Sequence, residues 1–229
     1  MTGNGAQLRS PIPFPSSIKA LIFDLDGTLI DSAVGIAACL DRIAQERGAA
    51  PVTVETVCRL ISKGALELVG QSLGSADPEA DLTLFRKILA ARITDPAELY
   101  PGVAKAIRHF AKAGVTMGIC SNKPQHLTLR TLEDVGLTDC FGAIVGGDAA
   151  SSHKPDPAHL DEVCRQLSLS RDGCLLIGDS EVDQAAARAA GMPFLFADYG
   201  YALEGCSDYC RRYGDFPALA ADLMTELGL

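Results

Sequence analysis

Five short apolar runs punctuate this chain, and each stops abruptly at a more polar segment. They occupy residues 18–23, 115–120, 143–145, 174–177 and 193–197. The first four lead into Asp24-Leu25-Asp26-Gly27, Ser121-Asn122-Lys123-Pro124, Gly146-Gly147-Asp148 and Gly178-Asp179-Ser180. Unbroken hydrophobicity over so few residues marks strands buried on both faces. Between the runs, residues 103–113, 125–135, 157–167 and 184–190 carry helical periodicity. Strands alternating with helices predict an α/β fold, a parallel sheet covered by helices on both faces.

One connection breaks the alternation. No strand-like run lies between Asp31 and Leu99, although such connections ordinarily take only a few residues. Ile36, Leu40 and Ile43 share one helical face within it, and Val54, Val57, Leu60 and Ile61 share another. Leu66, Val69 and Leu73 form a third, and Leu82, Phe85, Ile88 and Leu89 a fourth. The expected organisation is therefore a flexible tail at 1–17, a sheet-bearing core at 18–31 and 100–229, and an inserted helical domain at 32–99.

Charge limits the partners. With 20 basic against 29 acidic residues the formal charge is −9, which disfavours nucleic acid and anionic membrane surfaces. A small anion remains compatible, because a metal ion in a pocket reverses the field locally. No apolar stretch approaches the roughly 18 residues of a membrane span, and the Gly-, Pro- and Ser-rich start lacks the apolar core of a secretory signal. The expected location is cytoplasmic. The eight cysteines read as buried free thiols; Cys206 and Cys210 are close, but no second close pair and no nearby histidine completes a zinc site.

Chemistry-bearing residues gather at the carboxyl ends of the runs, where open parallel sheets place ligands. Asp24 and Asp26, one residue apart after a buried strand, repel each other unless a proton or cation intervenes. A hard divalent ion such as Mg²⁺ relieves that repulsion and leaves room for a substrate phosphate. Asp179 and Asp183 form a second acidic pair, expected to share one face of an opening helix. Ser121 and Asn122 offer a hydroxyl and an amide to phosphate oxygens, and the Lys154 ammonium offsets both a carboxylate and a phosphate. Taken separately, such residues serve equally well as helix caps and turn formers.

Together, Asp24-Leu25-Asp26-Gly27-Thr28, Ser121-Asn122-Lys123, Lys154-Pro155 and Gly178-Asp179-Ser180-Glu181-Val182-Asp183 resemble, in order, the four motifs of the haloacid dehalogenase superfamily. That resemblance implies a Rossmann-like core with a helical cap inserted after the first motif. It also implies an aspartyl-phosphate formed on Asp24, with Asp26 as the acid and then the base. Mg²⁺ would be held by Asp24, Asp179 and the backbone carbonyl of Asp26, with Asp183 behind them; Thr28, Ser121, Asn122 and Lys154 would hold phosphate. An acid at position 26 points to phosphoryl transfer and away from dehalogenation.

More locally, Leu99-Tyr100-Pro101-Gly102-Val103, Ile144-Val145-Gly146-Gly147-Asp148, Lys154-Pro155-Asp156-Pro157 and Tyr199-Gly200-Tyr201 are similar to phosphoglycolate phosphatases. The cap loop departs from them, reading Ile61-Ser62-Lys63-Gly64-Ala65, where Lys63 and Gly64 become candidate substrate-binding residues. The expectation is a phosphatase for small phosphorylated metabolites, 2-phosphoglycolate first among them, working as a monomer or homodimer. The alternatives are a β-phosphoglucomutase-like sugar phosphomutase, a pyrophosphatase, and a catalytically silent regulator that binds phosphorylated ligands.

Overall fold

The computed structural model describes Pro15 and residues 17–61, 64–202 and 205–229. Six parallel strands form its sheet: β1 (Ala20–Phe23), β2 (Met117–Cys120), β3 (Ala143–Val145), β4 (Cys174–Gly178), β5 (Phe194–Ala197) and β6 (Arg211–Tyr213). Their order is β3-β2-β1-β4-β5-β6. This is the Rossmann arrangement, in which the order reverses beside β1 and opens a crevice at the carboxyl ends of the strands. Phe23 of β1 lies level with Ile177 of β4, so Asp24 and Asp179 leave the sheet nearly side by side.

Alternation along β1 divides the core. Leu21 and Phe23 pack on one face with Ile119, Phe110 and Phe216, while Ala20 and Ile22 pack on the other with Leu176, Val163 and Phe194. Helices α5 (Val103–Lys112) and α9 (Phe216–Leu227) supply the first face, and α7 (Ala158–Gln166) and α8 (Glu181–Ala190) the second. Helix α6 (Gln125–Asp134) lies against β3. The sequence reading has five strands; β6 is a sixth, short and carrying Arg211 and Arg212, so its apolar signal is nearly absent.

Between β1 and α5 the chain forms α1 (Ala33–Glu46), α2 (Val54–Leu60), α3 (Ala65–Leu73) and α4 (Pro78–Ala91). Local chemistry sets their starts. The Thr53 hydroxyl accepts from Thr56 N, and the Asp77 carboxylate accepts from Ala80 N with Pro78 at the first helical position. Ile36, Leu40, Ile43, Val57, Val69 and Phe85 meet in a separate apolar cluster. Arg47 grips Asp81 with both guanidinium nitrogens, tying the end of α1 to α4. Two residues assigned to buried faces, Val54 and Leu66, are instead exposed; Leu66, 46% exposed, lines the cavity described below.

The chain enters and leaves this helical insert side by side. Asp31 N donates to Glu98 O at 2.8 Å and Tyr100 N to Leu29 O at 3.1 Å. Among the described residues no helix is long and apolar enough to cross a membrane. The cysteines are free thiols, but Cys58, Cys140 and Cys206 are only half-buried.

Candidate active site

Asp24 leaves β1 into a tight turn in which Leu25 O accepts from Thr28 N, Leu29 N and Ile30 N. Gly27 makes that turn with φ +89°, and a Cβ there would lie 2.2 Å from Asp179 Oδ2. No L side chain fits such a position. The turn therefore packs directly on the end of β4, and Thr28 Oγ1 donates to Asp179 Oδ1 at 3.1 Å.

Asp179 is fully enclosed. Its other oxygen, Oδ2, accepts from Tyr201 N at 2.7 Å, and a Cβ on Gly200 would lie 2.3 Å from the Asp179 Cβ. Asp183 arrives by a different route from the shared helical face expected. Asp179 precedes α8, whose first turn is a capping box: Asp183 Oδ2 accepts from Ser180 N at 3.1 Å and from Ser180 Oγ at 2.5 Å. The capping role and the site role fall on the same carboxylate.

Lys154 joins the two strand ends. Its ammonium donates to Asp183 Oδ1 at 2.6 Å and lies 2.9 Å from Asp24 Oδ1. The contact with Asp24 is an ion pair without hydrogen-bond geometry, so Asp24 Oδ1 remains a buried oxygen lacking a hydrogen-bond donor. Burial opposes the ammonium charge, yet Asp183 and then Asp24 overcome it and hold the Lys154 pKa above its ordinary value. Burial pushes Asp24 up to about 7, opposed by Lys154 and reinforced by Asp183. Asp179 is also raised well above the ordinary carboxylate range, by burial and then by Asp183 and Asp24.

Beyond burial, these shifts share a second cause. Three carboxylates, each offering an oxygen within 4.8 Å of the others, face a single ammonium. Three negative charges against one positive leave two uncompensated. An all-oxygen set with that deficit and an unsatisfied oxygen on Asp24 fits a hard divalent cation. Asp183 is the most heavily bonded of the three, accepting from Lys154 Nζ and from both Ser180 N and Ser180 Oγ, against two bonds to Asp179.

The remaining candidates separate. Asp26 belongs to no carboxylate cluster; Lys123 Nζ donates to its Oδ1 at 2.7 Å and Oδ2 at 3.1 Å. Ser121 Oγ accepts from Lys123 N at 3.3 Å, which leaves its O–H to donate into the cavity it lines. Two residues expected on phosphate have other partners. The Thr28 hydroxyl is committed to Asp179 beneath the site, and Asn122 Nδ2 donates to Lys154 O at 2.9 Å. A cavity of about 450 Å³ lies above the carboxylates, lined on the insert side by Leu66, Leu82 and Phe85. Gly64 lines it as well; Lys63 lies outside the described residues.

Residues 21–197 match the family model described as haloacid dehalogenase-like hydrolase. The chain belongs to that family. This haloacid dehalogenase-like hydrolase is 38% identical over 197 residues to a phosphoglycolate phosphatase of Rhodospirillum rubrum, covering 81% of the chain and 82% of the relative. It is likewise 38% identical over 208 residues to a phosphoglycolate phosphatase of Rhodobacter capsulatus, covering 87% and 94%. A haloacid dehalogenase-like hydrolase from Bacteroides fragilis superposes with TM-score 0.76 at 30% identity, covering 88% of this chain and 99% of that one. CbbY from Rhodobacter sphaeroides, solved in complex with phosphate, shares the fold with TM-score 0.74 at 21% identity, covering 93% and 100%.

Three residues of the hydrolase that carry no role in the sequence reading touch its site. Lys123, quoted there only as part of a motif, holds Asp26. Tyr201 bonds Asp179 through its backbone, while its hydroxyl donates to Asp31 Oδ1 at 2.7 Å and accepts from Ala33 N at 3.1 Å. The third, His159, contacts the Lys154 backbone. The partners of Lys123 and Tyr201 are long-range, which residue spacing does not carry; His159 is only five residues from Lys154, but no motif marks the pair.

Proposed function

We propose that this hydrolase is a Mg²⁺-dependent phosphatase acting on small phosphate monoesters, with 2-phosphoglycolate as leading substrate. The observation that carries the reading is the charge deficit of Asp24, Asp179 and Asp183 around Lys154, at the floor of a cavity between the strand ends and the insert. Relatives at 38% identity bear the name phosphoglycolate phosphatase, which supports the choice of substrate.

An Asp24 carboxylate oxygen attacks phosphorus, the ester P–O bond breaks, and Asp26, which must enter this step protonated, gives its proton to the leaving alkoxide. Water then attacks the aspartyl-phosphate, Asp26 takes the water's proton, the P–O bond to Asp24 breaks, and inorganic phosphate leaves. Lys154 and the Ser121 O–H offset charge on the phosphoryl oxygens. Lys123 holds the Asp26 carboxylate at the cavity wall. Asp24, Asp179 and the Asp26 carbonyl would hold Mg²⁺, which would supply charge neutralisation at the phosphate; Asp183 supports the site from behind.

The test is phosphate release from a panel of small phosphate esters, with and without Mg²⁺. Metal-dependent turnover, highest kcat/KM on 2-phosphoglycolate, is expected. Absence of release from every ester would overturn the reading. Following labelled phosphate separates hydrolysis from a mutase, since a mutase passes the label to an isomeric sugar phosphate; release from pyrophosphate alone would mark a pyrophosphatase. Asp24→Asn should keep the fold and lose turnover by several orders of magnitude, as removal of a covalent nucleophile does.

A further inference from the structure

The Lys154 ammonium reaches Asp24 only if both ends of the residue are held. Asp183 holds the tip at 2.6 Å. At the backbone, Asn122 Nδ2 donates to Lys154 O at 2.9 Å, and Lys154 N donates to His159 Nδ1 at 3.2 Å. His159 lies in the first turn of α7 and is 0% exposed. Its second ring nitrogen, Nε2, lies 3.2 Å from Gly146 O, just beyond β3. Since Nδ1 accepts from an amide, the proton belongs on Nε2, which donates to that carbonyl. One neutral ring therefore links the lysine to the loop after β3. A doubly protonated ring would have no lone pair for Lys154 N and would add a charge beside a buried ammonium. Burial, followed by Lys154, lowers His159 to about 4 and keeps the ring neutral at ordinary pH.

We propose that His159 is a positioning residue for Lys154, fixing the lysine backbone through the Nε2–H tautomer so that the ammonium meets Asp24. The inference rests on the phosphatase reading for its kinetic consequence, while the clamp itself is geometric. His159 touches neither substrate nor metal ligand; it acts through Lys154.

Two substitutions dissect the clamp. His159→Asn keeps an acceptor near the position of Nδ1 and drops the contact with Gly146, whereas His159→Gln keeps a donor near Nε2 and drops the contact with Lys154. Kinetics on the best ester, at a temperature well below both melting points, should show kcat within about threefold of wild type for His159→Asn. For His159→Gln kcat should fall at least about tenfold with KM changed far less, since small displacements at a catalytic centre cost about that much or more. Equal kcat in the two variants, or losses that follow melting temperature alone, would overturn the proposal. If wild type hydrolyses no ester, the phosphatase reading fails separately, and ring ¹⁵N spectra decide the clamp. They should show the Nε2–H tautomer in wild type, and an Nδ1–H tautomer would overturn it. These spectra also decide the matter if His159→Gln does not fold.

Discussion

A buried charge costs several kcal/mol unless it is paired, and Lys154, only 2% exposed, is paired with two carboxylates. Its neighbour His159 is buried in the opposite condition, as a neutral base. An imidazole with an ordinary pKa of 6.5 that falls to about 4 on folding stabilises the fold fully above pH 6.5. That contribution is lost as pH drops from 6.5 through 4, because the unfolded chain takes up a proton the folded one refuses. Denaturant unfolding at pH 7 and pH 4.5 should show wild type losing on the order of 2–3 kcal/mol more than His159→Asn over that interval. At this scale the strand-end acids and Lys154 are legible as chemistry in the sequence, because carboxylates set at the end of a buried strand call for a cation or a proton to offset them. Thr28 and Asn122 are legible as polar residues of the site but not in their contacts, which depend on what the rest of the chain brings beside them.

Helix α8 illustrates how an element serves both fold and site. Periodicity places its start at Gln184, yet it begins at Glu181, because Ser180 and Asp183 close a capping box around Glu181 and Val182. Ser180→Ala should cost about 1 kcal/mol in thermal or denaturant unfolding, the usual value of such a cap. The same change removes a donor from Asp183 Oδ2, so turnover should fall by more than this stability loss accounts for. Strand β6 shows what periodicity misses. Its two arginines bond acids elsewhere, Arg211 with Asp222 and Glu226 and Arg212 with Asp198, so the edge of the sheet is charged rather than apolar. The helices of the insert, by contrast, are visible in advance, since each buries a stripe at helical spacing in one shared cluster.

For the whole molecule, sheet order determines which loops meet. Placing β4 directly beside β1 brings together carboxylates from positions 24, 179 and 183, which when all ionised exceed the one ammonium by two negative charges. A divalent cation that binds only the folded protein should therefore stabilise it. At 100-fold excess over Kd the gain is about 2.7 kcal/mol, read as a higher melting temperature with Mg²⁺ than with chelator. Asp179→Asn should abolish that rise; an undiminished rise would place the ion elsewhere. Part of the charge of −9 is thus gathered at one place in the fold. By itself the sequence determined the alternation of strands and helices, the helical insert, and the acidic strand ends, because burial and periodicity are properties of short segments. Only the tertiary structure decided that Asp183 caps a helix while anchoring Lys154, that Lys123 holds Asp26, and that Tyr201 and His159 support the site. The contacts of Lys123 with Asp26, Lys154 with Asp183 and Tyr201 with Asp179 join residues remote along the chain, selected by sheet order and packing. The Asp183 cap and the His159 contact are local pairs, whose bearing on the site depends on where those loops are placed.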